Sequence, residues 1–261
     1  MDKKNREELL RDSKLREHFF ANEVIAFCRR KMEFILQNLK PGIILDAGVG
    51  SGYISAEIKK SNSKVFSLDS EFAAIQECQL LMDLRQIRFQ LFIARLPDLP
   101  FKDSNFDSIV CTDVIEHIPD LEKAFYCFHR ILKPEGRLIL SLPNGYGFDT
   151  IAGLYSKRNN SVNKRLKELG IDINQKYSKS TLRHIHKFTP RSMKKYLEKS
   201  RFDILKFENT AFLSQYISAF FSGILGYERE FSSRIENIDI RIAKHLPLLL
   251  GSHWLISCKK I

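Results

Sequence analysis

The sequence predicts a doubly wound α/β fold, and three observations carry that expectation. First, Ile43-Ile44-Leu45 is a short apolar run that ends in Asp46. Glycines follow at alternate positions, Gly48, Gly50 and Gly52, before a helical segment from Tyr53 to Lys60. An apolar run that closes on a Gly-rich turn and opens a helix is the first strand-turn-helix of a nucleotide-binding sheet. Second, another short strand, Lys64 to Asp69, also ends in an acid. Third, apolar runs of strand length then alternate with helical segments, the pattern of parallel strands joined by crossover helices.

The elements follow in order. Residues from Asn5 to Asn38 read as one or two amphipathic helices, with Leu9, Leu10, Phe19, Phe20, Val24, Ile25, Phe34 and Ile35 at mixed three- and four-residue spacings. This N-terminal helical segment, 1–40, precedes the main domain, 41–261. Glu71 to Met82 is the helix after the second strand, and Arg88 to Ala94 is the third strand. The fourth strand, Asn105 to Thr112, is nearly continuously apolar after Asp107, as a buried parallel strand should be. Leu121 to Leu132 is a helix. Lys133-Pro134-Glu135-Gly136 stops it, and Arg137 to Leu142 is the fifth strand. Residues 145–187 form a basic, polar insertion with a helix near Val162 to Leu169. A linker this long inside a compact domain has a function or is mobile. Thr189 is placed to cap a helix from Pro190 to Lys199, with proline at the first helical position. Phe202 to Phe207 reads as a strand, Ser233 to His245 as a charged helix, and Trp254 to Lys259 as the final strand. Between them, Asn209 to Tyr227 carries no charge. It reads as a buried helix, or as a surface for a substrate, a partner or a membrane.

Composition narrows the function classes. A chain of 261 residues, 44% hydrophobic and 28% charged, fits one soluble domain with elaborations. The net charge of +11 suggests an acidic partner such as nucleic acid or an anionic membrane, or simply a lysine-rich surface. Five scattered cysteines lack C-x-x-C spacing, which argues against a disulfide framework or a structural zinc site. With a charged N-terminus and no continuous apolar span, the expected location is the cytoplasm.

The glycine spacing separates two nucleotide-binding patterns. A dinucleotide fingerprint needs a third glycine where Tyr53 stands. D-x-G-x-G-x-G instead resembles motif I of the class I S-adenosylmethionine (SAM) dependent methyltransferases. The run NFDSIVCTDVIEHIPDLEKAFYCFHRILKPEGRLILSLPN resembles the middle of the ubiquinone-biosynthesis type of that family. Together the resemblance covers about residues 40 to 145. It implies a Rossmann-like sheet of seven strands whose last strand is antiparallel, the N-terminal helices packing before the first strand. It also implies SAM as cofactor. The implied cofactor-binding residues are Asp46, Ala47, Gly48, Val49, Gly50, Gly52, Asp69, Ser70, Arg95, Leu96 and Asp113. Asp69, at the end of the second strand, is placed to accept the ribose hydroxyls. Where many relatives carry an Asp for the adenine amino group, this chain has Arg95.

Catalysis and acceptor are less determined. His117 is the candidate catalytic residue, needed as a base only if the nucleophile arrives protonated. Asp113, Glu116 and His117 stand at i, i+3 and i+4, so one helical turn would present them together. DVIEH and the later HIHKFTPR resemble segments of small-RNA 2′-O-methyltransferases whose carboxylates and histidines hold magnesium. That resemblance adds His186, with His184 nearby, to a metal set of Asp113, Glu116 and His117. It makes Mg²⁺ a second expected cofactor. The alternative is that the segment shapes the loop beside the methionine end of SAM. The expected acceptor is a small molecule. RNA is the second candidate, on the charge and the basic insertion, and a lipid-linked substrate the third, on residues 209–227. A non-catalytic SAM-binding domain remains the alternative to an enzyme.

Overall fold

A computed structural model describes residues 26–146, 185–210 and 237–261. Its elements are α1 (Ala26–Asn38), β1 (Ile43–Ala47), α2 (Tyr53–Lys59), β2 (Lys64–Asp69), α3 (Phe72–Leu84), β3 (Gln90–Ile93), β4 (Phe106–Thr112), α4 (Leu121–Ile131), β5 (Leu132–Pro143), α5 (Pro190–Lys199), β6 (Phe202–Asn209) and β7 (His253–Lys260). A single 3₁₀ turn, Ile115–His117, follows β4, and residues 237–243 are helical.

The strands form one seven-stranded sheet in the order β3-β2-β1-β4-β5-β7-β6. β1 to β5 pair in parallel, and β7 inserts antiparallel between β5 and β6. This is the expected seven-stranded sheet with an antiparallel last strand. Chain order reverses between β1 and its neighbours β2 and β4. The carboxyl ends of these strands therefore flank the crevice where ligands of such sheets bind.

Side-chain alternation builds the two faces. Ile44, Val65, Val110, Ile139 and Leu255 point to one face, where Phe34 and Ile35 of α1 and Ile58 of α2 cover them. Leu45, Ile109, Leu138, Leu140 and Trp254 point to the other, against Phe125 and Phe128 of α4 and Met193 and Leu197 of α5. Each such side chain taken out of water contributes roughly 1.5–3 kcal/mol.

Several boundaries differ from the expectation. β3 is shorter at both ends, because Ile87 N–H still closes the end of α3 onto the Met82 carbonyl at 2.9 Å and pairing with β2 begins only at Gln90. Lys133 to Gly136 does not separate helix from strand. β5 begins at Leu132, and the four residues form an irregularity within it, with Glu135 at φ 60°. α5 starts as expected. Thr189 accepts from Ser192 N–H at 3.1 Å, and the Ser192 hydroxyl answers the Thr189 N–H at 2.9 Å, a reciprocal cap. The helices expected before residue 26, most of the 145–187 insertion and the uncharged stretch beyond Thr210 lie outside the described residues.

Candidate cofactor site

The Gly-rich turn after β1 is tied to the end of β2. Gly48 and Val49 both donate N–H to the Leu68 carbonyl at 2.9 Å. Asp69 accepts the Gly50 N–H on one carboxylate oxygen at 3.1 Å and the Glu71 N–H on the other at 3.0 Å. The acid that ends β2 thus shapes the turn and keeps its remaining lone pairs for a ligand. All three glycines have left-handed φ, between 50° and 97°. A Cβ on Gly48 would lie 2.2 Å from Val114, and one on Gly52 2.5 Å from the Cys78 sulfur. A Cβ on Gly50 would meet no atom of the described residues within 4 Å. Gly48 and Gly52 are therefore glycines for packing, whereas Gly50 has open space above it among the described residues.

That room is a cleft of about 250 Å³ at the carboxyl ends of β1, β2 and β4. Of the predicted cofactor residues, Gly48, Gly50, Asp69, Ser70, Arg95, Leu96 and Asp113 line it. Asp46, Ala47, Val49 and Gly52 stand behind the wall. Val49 packs into a cluster with Ile75, Cys78 and Met82. Asp46 is fully buried beneath the turn and accepts the Ser55 hydroxyl at 2.5 Å, which meets Ser67 at 2.7 Å. Its second oxygen has no partner among the described residues. Burial first, and the nearby Asp69 charge second, raise its pKa to about 7. A buried carboxyl with one oxygen unmet suits a cationic ligand above it, and open space over Gly50 suits a ligand backbone. The residues present therefore fit SAM, which carries a sulfonium and an ammonium.

The β4 side of the cleft is built by Asp113. Its N–H donates to the Ser141 carbonyl at 2.7 Å, and its φ of 56° turns the chain out of the sheet. Lys31 of α1 donates to one carboxylate oxygen at 2.6 Å. Ser141 donates to the other at 3.1 Å, and His253 of β7 stands 3.9 Å from it. Burial raises the Asp113 pKa, but the Lys31 and His253 charges outweigh it and hold the carboxyl below its ordinary value. The opposite balance holds at Glu116. It is almost fully buried, one carboxyl oxygen has no partner among the described residues, and burial followed by the Asp113 charge lifts its pKa to about 8. Its backbone carbonyl accepts the N–H groups of Ile185 and His186 at 2.9 and 3.1 Å, docking the segment before α5 against the cleft.

The residues of the expected metal set are placed as follows. Asp113 and His117 do not share a helical turn, because the left-handed Asp113 precedes a 3₁₀ turn that begins only at Ile115. The carboxylate of Asp113 is engaged by Lys31 and Ser141. His186 donates its Nε2 proton to the Ile118 carbonyl at 2.9 Å and stacks on Phe188. Glu116 and His117 stand 3.9 Å apart at their closest polar atoms. Among the described residues no three His, Cys, Asp or Glu side chains are grouped to hold a metal ion, and His184 lies outside those residues. His117 does line the cleft, together with Leu68, Ala94, Thr112, Val114, Ile118 and Pro119, which sequence reasoning did not select. Lys31, Ser141 and His253 were also missed. They come from three distant elements, and no local spacing marks them.

Comparison with known proteins decides the family. A methyltransferase-domain family model matches residues 20–206. The chain belongs to the class I SAM-dependent methyltransferase family. It is 31% identical over 111 residues to a ubiquinone biosynthesis O-methyltransferase of Pasteurella multocida, covering 39% of this chain and 46% of that protein. The chain spans about half the length of the curated relatives it matches. A methyltransferase solved in complex with the Haloferax volcanii Trm112 methyltransferase activator superposes with a TM-score of 0.61 at 14% identity, covering 97% of this chain and 96% of the other. A SAM-dependent methyltransferase from Thermotoga maritima gives a TM-score of 0.58 at 17% identity, covering 97% and 98%. At these identities the structural likeness establishes the methyltransferase fold.

Proposed function

We propose that this methyltransferase moves the methyl group of SAM to an oxygen or nitrogen nucleophile of a small molecule. The observation that supports it most is the cleft at the β1–β4 reversal. There, of the turn's three glycines, Gly50 has open space above its Cα among the described residues and stands beside the Asp69 carboxylate. The curated relatives named as ubiquinone biosynthesis O-methyltransferases favour a small hydroxylated acceptor.

Bound SAM supplies an electrophilic methyl group on a positively charged sulfur. The rest is the work of the chain. Asp69, fixed by two N–H donors, offers acceptor capacity to the ribose hydroxyls. Gly48 and Gly50 let the ligand approach the backbone, and Asp46 beneath them provides an acceptor field. Leu68, Leu96, Val114 and Ile118 keep water from the cleft. Because the positive charge of the sulfonium would disperse on transfer, alignment and exclusion of water would be the chain's main tasks. His117 borders the cleft on the β4 side, where an acceptor would enter, and takes the proton of an O–H nucleophile on an imidazole nitrogen.

RNA is the second reading, supported by the net charge of +11 and by exposed Arg191, Lys194 and Lys195 along α5. Incubation of fractionated cell extract with radiolabelled SAM tests both. Label in small molecules supports the main reading. Label in RNA, in a reaction that weakens steeply as salt rises, replaces it with the second.

A further inference from the structure

The order of strands assigns the two ends of the cleft. Asp69 stands at the end of β2. Space toward β4 is bordered by Asp113 and His117, and space toward β3 by the residues that follow β3. If a nucleoside places its ribose at Asp69 and its reactive end toward β4, its base lies on the β3 side. Ala94 N–H donates to the Asp69 carbonyl at 3.0 Å, so Arg95 emerges immediately beside Asp69 and Ser70. Leu68, Leu96 and Ile118 supply apolar walls for a flat ring. The charged side chain at that end is Arg95, which is exposed at the rim. Of the two carboxylates that line the cleft among the described residues, Asp69 faces the ribose in this reading and Asp113 lies on the β4 side. Asp69 accepts from the Gly50 and Glu71 backbone, and Asp113 from Lys31 and Ser141. Among the described residues the base end therefore offers a planar donor and is lined by no further side-chain carboxylate.

We infer that Arg95 sets the purine specificity of this site and that the site accepts a 6-oxo purine, hypoxanthine, as well as adenine. The inference rests on the reading of the cleft as the SAM site. A guanidinium has donors only, so it cannot receive the amino group that adenine carries beside N7. Hypoxanthine presents two acceptors there, O6 and N7, the same pair that arginine grips bidentately on guanine. An amide or a carboxylate in place of Arg95 reverses the match, because either accepts the adenine amino proton, and glutamine also donates to N7.

Calorimetry with S-adenosylhomocysteine and S-inosylhomocysteine tests this on the wild-type protein, Arg95→Asp and Arg95→Gln, with thermal melts reporting the fold of each variant. The wild-type protein is expected to bind the inosyl ligand with a Kd within tenfold of that for the adenosyl ligand. Arg95→Asp is expected to widen the ratio of the two constants at least tenfold in favour of the adenosyl ligand. If Arg95→Asp does not fold, Arg95→Gln is judged by the same threshold. A wild-type ratio above tenfold, or a smaller widening in the deciding variant, overturns the inference. Failure of S-adenosylhomocysteine itself to bind overturns the cofactor reading beneath it, and that outcome is separate because it is read from the adenosyl ligand alone.

Discussion

At the scale of single residues, glycines at alternate positions of the turn do different work. At Gly50 an added Cβ meets only the left-handed backbone cost of roughly 1–2 kcal/mol. At Gly48 the same change also drives into Val114. Gly50→Ala is therefore expected to melt closer to the wild type than Gly48→Ala, while Gly50→Val weakens SAM binding at least tenfold, or about 1.4 kcal/mol. Thermal melts and calorimetry on the same samples check both halves. Equal melting losses with unchanged affinity would place the ligand elsewhere. Glu116 makes a pH-dependent prediction. Its folded pKa, about 8, lies above the ordinary carboxyl value. Between the two values the native state holds a proton that the unfolded state has released, so stability falls as pH rises through that window. Glu116→Gln removes the titration. Relative to wild type it is expected to gain about 1 kcal/mol or more between pH 5 and pH 7.5 in denaturant unfolding. Parallel pH profiles for the two proteins would contradict the assignment.

At the scale of elements, α1 is joined to the cleft by charge as well as by apolar packing. Phe34 and Ile35 hold it on the sheet, Lys31 reaches Asp113, and Arg30 pairs with Glu208 at the end of β6. The Lys31 ammonium is held above its ordinary pKa: burial lowers it, but the Asp113 charge more than compensates. The Asp113 side chain is 37% exposed, so water screens part of the attraction. A double-mutant cycle with Lys31→Met and Asp113→Asn is expected to show a coupling of about 1 kcal/mol in stability. Additive losses would mean that the two groups do not sense each other in solution. Because Asp113 also borders the cleft, Lys31→Met alone is expected to weaken S-adenosylhomocysteine binding, which a contact confined to the surface would not do.

At the scale of the whole molecule, β7 closes the sheet. It pairs with β5 on one side and β6 on the other, and its Trp254 is fully buried. The indole stacks edge-on against Phe207, and its N–H donates to the Leu248 carbonyl at 2.8 Å. Trp254→Ala is expected to cost about 3–5 kcal/mol, measured by chemical denaturation. β7 also carries His253 to Asp113, so the same strand that completes the core reaches the β4 side of the cleft. Destabilisation at Trp254 should therefore lower cofactor affinity with no change in any residue that lines the cleft.

The sequence by itself determined the order of strands and helices from Ile43 to Leu142 and the glycine turn and strand-end acid that border the cleft. Both follow from short-range physics. Apolar runs of strand length, a glycine turn and an acid at a strand end are visible to any reader of neighbouring residues. The seven-stranded arrangement came from likeness to a family rather than from the residues alone. The tertiary structure decided which side chains meet. Gly50 differs from Gly48 and Gly52 only through Val114 and Cys78, which lie 66 and 26 positions from the respective glycines they confront, in register only once the strands pair. Asp113, read as one member of a helical cluster, became the centre of an ion pair because a left-handed turn took it out of the helix and α1 brought Lys31 to it. Such contacts join elements far apart along the chain, and no spacing within either element encodes them.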